Sequence, residues 1–142
     1  MSDPILPDAN LGMLGSGQLG RMFTLEARRM GYRVTVFGPD DNSPAGQVAN
    51  KQIQAPYDDL DAVREFASEV SVVSFEFENV PDDTLAAISE IAPVRPSVDA
   101  LHVSQDREIE KTFLNDHGIG TAPWAAIGKA TDLQIAADVT GL

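Results

Sequence analysis

Cysteine is absent from the 142 residues, which excludes a disulfide framework, a thiolate metal centre and a cysteine nucleophile together. Cations are scarce: 10 Lys and Arg stand against 22 Asp and Glu, for a formal charge of −12. A nucleic-acid binder needs a basic stripe to neutralise phosphates, and the densest cluster is Arg28-Arg29 with Arg33 nearby, so no nucleic-acid partner is expected. The two histidines, His102 and His117, read as surface or helix-end residues rather than a metal pair. No apolar run approaches the length that crosses a bilayer. "MSDPILPDAN" lacks the basic start and apolar stretch of a signal peptide. The expectations are no membrane contact and a cytoplasmic location.

What is present alternates. "LGML" (11–14) is a short apolar run, and from Gln18 to Met30 the residues Leu19, Met22, Phe23, Ala27 and Met30 recur at helical spacing, with Gly31 as a stop. "RVTVF" (33–37) and "KQIQA" (51–55) read as strands, and Asp59 or Asp61 as the cap of a helix carrying Leu60, Val63, Phe66, Ala67 and Val70. "SVVSF" (71–75) reads as a central strand buried on both faces. Leu85, Ile88 and Ile91 mark another helix and "VRP" (94–96) a last strand. Such alternation predicts an α/β fold, a doubly wound parallel sheet over residues 10–96 after a tail at 1–9. Residues 97–142 predict two helical pieces, an extended "TAPWAAI" (121–127) and one more helical start. That second core looks unclosed, so the expectation is a truncated chain.

Residues 15–20, GSGQLG, match the G-x-G-x-x-G pattern between a strand and a helix. Glycines let backbone approach a phosphate, and the first helical turn points its amides at it. The same turn serves any phosphorylated ligand, and it can be purely structural. A dinucleotide site also wants an acid at the end of the second strand; Asp40 and Asp41 arrive two or three positions late, as ribose ligands or as turn carboxylates.

In "SFEFENVP" (74–81), Glu76 and Glu78 alternate with Phe75 and Phe77 and so share one side of a strand end. In open α/β sheets ligands bind outside such ends. A carboxylate there accepts from hydroxyl or amino groups and repels phosphate, so glycine amides plus a glutamate describe a sugar-phosphate pocket. Two solvated acids are the alternative.

"GMLGSGQLGRM" (12–22), "DNSPAGQVAN" (41–50), "SFEFENVP", "QDREIEKTFL" (105–114) and "TAPW" (121–124), in that order, closely resemble the N-terminal part of the 5-(carboxyamino)imidazole ribonucleotide synthases, ATP-grasp ligases of purine synthesis. Ser16 and Gly120 are small departures. The resemblance implies a pre-ATP-grasp, Rossmann-like domain followed at 97–142 by a helical linker and the incomplete start of the ATP-grasp domain. It implies a ligase that uses ATP and Mg2+ to join bicarbonate to 5-aminoimidazole ribonucleotide, and a homodimer at full length.

The resemblance assigns substrate binding to Gly15, Gly17, Gln18, Leu19 and Glu76, and ATP contact to Arg107. Glu78, Asp40 and Lys111 receive no firm role; Lys111 reads equally as a surface partner of Glu108 or Glu110. No catalytic or metal-binding residue is expected within the chain, since in the family the nucleotide lysine, lid and metal carboxylates follow Leu142. The 142 residues alone are therefore expected to be inactive, and the −12 charge fits a missing positive half of the site. The alternative reading is an NAD(P)-binding oxidoreductase domain.

Overall fold

The computed structural model describes residues 3–141, which divide into a first unit through Leu101 and a second from His102. In the first, β1 (Asn10–Leu14), α1 (Gln18–Arg29), β2 (Arg33–Gly38), β3 (Lys51–Gln54), α2 (Leu60–Ser68), β4 (Val72–Phe75) and α3 (Asp82–Ser89) follow one another. The strands form one parallel sheet in the order β3-β2-β1-β4. Leu14 pairs with Phe37 on one side and Phe75 on the other, so three strands end level.

Strand alternation sends successive side chains to opposite faces. Met13, Val34 and Val36 form one core with Ala27 of α1. Leu14 and Phe37 form the other with Val63, Phe66 and Ala67 of α2 and Leu85 and Ile88 of α3. The sheet is thus doubly wound, as expected. Asp59, rather than Asp61, caps α2, its Oδ1 accepting from the Ala62 amide at 3.1 Å.

Three expectations are corrected. The face of α1 laid on the sheet is Gly20, Thr24 and Ala27, whereas Leu19, Met22 and Met30 are 61, 58 and 63% exposed. Small residues let the helix approach closely, and Thr24 returns its hydroxyl to the Gly20 carbonyl at 2.7 Å. β4 is an edge strand with only Val73 fully buried. Residues 94–96 make no strand; a single bridge joins Val94 to Val73, because Pro93 and Pro96 have no amide to extend a ladder.

The amino ends of the strands are tied by side chains. Asn10 Nδ2 donates to Thr35 Oγ1 at 3.0 Å and to the Glu69 carbonyl at 2.8 Å. The Val34 amide donates to Asn50 Oδ1 at 3.0 Å, and Lys51 pairs with Glu69 at 2.6 Å.

α4 (Val98–Gln105) leads from the first unit into the second. There α5 (Arg107–Asp116) begins at Asp106, whose Oδ1 accepts from the amides of Glu108 and Ile109 at 2.8 and 3.0 Å. After an irregular stretch come a 3-10 turn (Ala130–Asp132) and α6 (Leu133–Thr140). Trp124 Nε1 donates to Asn115 Oδ1 at 3.1 Å. Among the described residues of this unit only Ala136 is buried, and Ile109 and Phe113 of α5 are exposed.

Candidate functional site

After β3 the chain crosses to the far side of β1 to lay down β4, so the loops following β1 and β4 diverge and leave a crevice at the carboxyl ends. The glycine turn follows β1 and Glu76 follows β4. Gly15 sits at φ +117°, where a side chain is strained, and a Cβ there would lie 2.6 Å from Glu76 Cγ. The absence of two Cβ atoms, at Gly15 and Gly17, is what admits the glutamate; at Gly17 a Cβ would stand 3.0 Å from Glu76 Oε1.

Two amides of the turn, those of Gly15 and Gly17, have protein partners. Gly15 donates to the Phe37 carbonyl at 3.0 Å, and the Glu76 amide donates to the Leu14 carbonyl at 3.2 Å. The Gly17 amide donates to Glu76 Oε1 at 3.0 Å. A phosphate drawn to this amide would meet a carboxylate already there. Gly15 and Gly17 therefore seat an acid.

Ser16, Gly17, Pro39, Asp40, Tyr57, Glu76 and Phe77 border a cleft of about 250 Å³. It offers two carboxylates and no cationic side chain, which suits hydroxyl or amino groups of a ligand and opposes its phosphate. Tyr57 Oη would lie 3.4 Å from a Cβ at Gly38, the last residue of β2. The Tyr57 ring stacks on Phe77, centroids 5.7 Å apart and planes at 25°. Its carbonyl accepts from the buried hydroxyl of Thr84 at 2.6 Å. Burial, then the charges of Glu76 and Asp40, pushes the phenol above its ordinary pKa of 10.0 and keeps it a donor.

Of the expected substrate residues, the structure joins Gly15, Gly17 and Glu76. Gln18 and Leu19 lie beside them on the first turn of α1 with exposed side chains. Asp40 enters the cleft; Asp41 and Glu78 are exposed and do not border it. Arg107 lies in the second unit, exposed and paired with Glu110. Lys111 Nζ reaches the Ala122 carbonyl at 3.5 Å rather than either glutamate. Among the described residues no three His, Asp or Glu side chains converge to hold a metal.

Tyr57 was the residue that sequence reasoning passed over. "APYDD" carries a turn and a helix cap, and those features hid an aromatic placed just past the carboxyl end of a strand, where sheet proteins bind ligands.

Residues 9–105 match the family described as the ribonucleotide synthetase preATP-grasp domain. A relative from Brucella melitensis, named N5-carboxyaminoimidazole ribonucleotide synthase, is 44% identical over 135 residues, 95% of this chain and 37% of its own length. A solved ADP complex of an N5-carboxyaminoimidazole ribonucleotide synthetase superposes with a TM-score of 0.90 at 36% identity, over 97% of this chain and 37% of that one. The Aspergillus clavatus N5-carboxyaminoimidazole synthase, solved with ADP and 5-aminoimidazole ribonucleotide, gives a TM-score of 0.79 at 29% identity, over 92% of this chain and 36% of that one. The chain thus spans little more than a third of the proteins it matches.

Proposed function

Because the chain belongs to the ribonucleotide synthetase preATP-grasp domain family, we propose that it is the ribonucleotide-holding part of a 5-(carboxyamino)imidazole ribonucleotide synthase. The whole enzyme would be an ATP-dependent ligase forming a bond between bicarbonate and the exocyclic amine of 5-aminoimidazole ribonucleotide, with release of ADP and phosphate. The observation that carries this reading is Glu76, locked onto the Gly17 amide in the crevice between β1 and β4.

The cleft's chemistry orients the ligand. Glu76 and Asp40 accept hydrogen bonds from ribose hydroxyls, and the aromatic pair Tyr57–Phe77 gives the sugar an apolar wall. The phosphate faces away from both carboxylates. Gln18 and Leu19, on the adjoining helical turn, border the ligand outside the cleft. Arg107 is assigned to ATP. Magnesium, bicarbonate and the homodimer belong to the same proposal and rest on the family. When bound, magnesium would neutralise nucleotide phosphates.

The test is calorimetric titration of the chain with 5-aminoimidazole ribonucleotide and, separately, with NADH. Saturable binding of the ribonucleotide, weakened by Glu76→Gln, supports the reading. Binding of NADH without binding of the ribonucleotide overturns it in favour of a nicotinamide domain.

A further inference from the structure

We propose that Tyr57 is a specificity-determining residue of this cleft, its phenolic hydroxyl donating a hydrogen bond to a sugar hydroxyl of the ligand. The inference rests on the reading of the cleft as a ribose site and adds to it a residue that reads the sugar.

A ribose hydroxyl both donates and accepts. The cleft's acceptors are plain: Asp40 and Glu76 take the protons. Its donors are few. Pro39, Phe77 and the two carboxylates have no side-chain proton to give, and the Gly17 amide is engaged by Glu76. The cleft's side-chain donors are the hydroxyls of Ser16 and Tyr57, and Ser16 is 3% exposed. Tyr57 is the half-buried donor at the rim.

Its position is held from several sides. Phe77 stacks on one face, Phe37 lies tilted at 6.1 Å, and Thr84 fixes the backbone carbonyl. A Cβ at Gly38 would come within 2.6 Å of Ser16 Oγ and 3.4 Å of the phenol oxygen, so the glycine makes room for both hydroxyls. A donor so held loses little rotamer freedom when a ligand arrives. Desolvation and the two neighbouring acids oppose its ionisation, so the proton is present at neutral pH. A donor among acceptors completes the pairing that a diol requires and a phosphate does not.

The test compares the chain with its Tyr57→Phe variant, which keeps the ring and its stacking, by titration with ribose 5-phosphate and its 2-deoxy and 3-deoxy analogues. Thermal melting at neutral pH checks that the variant is folded. The expected result is that the natural chain prefers ribose 5-phosphate over one deoxy analogue by about tenfold, the scale of one hydrogen bond. In the variant that preference should fall to near unity, with affinity for the same deoxy analogue unchanged. A purely structural tyrosine would weaken all three ligands alike. Preferences preserved for both analogues in a folded variant would overturn the role of Tyr57 and leave the ribose reading intact. Failure of the natural chain to bind any of the three, or 5-aminoimidazole ribonucleotide, overturns both. As a second variant, Tyr57→Leu removes hydroxyl and platform; it should abolish the preference and weaken every ligand.

Discussion

Glu76 and Gly17, 59 residues apart in sequence, are joined by a 3.0 Å hydrogen bond from the glycine amide to the glutamate carboxylate. The bond closes the crevice floor and aims one carboxylate into the cleft. It also separates two roles of the same side chain, since a neutral acceptor can hold the turn while only a charged one strongly holds a hydroxyl.

Glu76→Gln should therefore leave the melting temperature within a few degrees of the original, its amide oxygen still accepting from Gly17. Affinity for 5-aminoimidazole ribonucleotide should fall about tenfold or more as the charge-assisted bonds weaken. Glu76→Ala should lose both stability and affinity. Parallel melting curves and titrations of the two variants check this; equal affinity for the glutamine variant and the original would remove Glu76 from the binding role.

Gly15→Ala should destabilise by about 1–3 kcal/mol, since alanine is strained at positive φ and its Cβ would displace Glu76. Urea unfolding gives the figure. Ligand affinity, measured separately, should fall as well, because the displaced carboxylate no longer points into the cleft.

On the opposite face of the sheet from α1, Gly12→Ala would set a Cβ 2.8 Å from Phe66 Cζ and 3.0 Å from Val70 Cγ2. Overpacking of this kind costs about 1–3 kcal/mol. Phe66→Leu removes the nearest atom, so the double variant should be more stable than the two single losses sum to. Strict additivity in the urea curves would show that the strain lies elsewhere.

The raised pKa of Tyr57 makes a prediction at alkaline pH. Unfolded tyrosine ionises near 10 while the folded group stays protonated, so above that point the folded state binds more protons and stability falls with rising pH. Below it the group contributes no slope. Melting curves between about pH 9.5 and 11 should show a steeper loss for the natural chain than for Tyr57→Phe. Parallel losses would contradict the shift.

The alternation of short apolar runs and capped helices made the doubly wound sheet readable in sequence, though the choice of Asp59 over Asp61 as a cap came from the structure. Periodicity placed Phe23 and Ala27 of α1 on the core but added Leu19, Met22 and Met30 and missed Gly20 and Thr24: it weighs large apolar residues, whereas close approach to the sheet excludes bulk. β4 looked central because its residues are apolar, yet position in a sheet is decided by crossovers, not by composition. The glycine turn showed its backbone freedom plainly but not its occupant, since the Gly17–Glu76 bond joins residues that no local window contains. Tyr57 needed the fold before its neighbours could be known.

The side-chain ties at the amino ends of the strands have a counterpart at the other end of the sheet. Asn10 spans to Thr35 and to the Glu69 carbonyl far from the cleft, whereas the rim residues Asp40 and Phe77 belong to the irregular stretches after β2 and β4. These ties and the cleft thus lie at opposite ends of one sheet. A library randomised at Asp40, with Tyr57 and Phe77 varied only among aromatic residues, should yield many folded members with altered sugar preference, while the same mutational load at Asn10, Thr35 and Asn50 should lower stability without changing that preference.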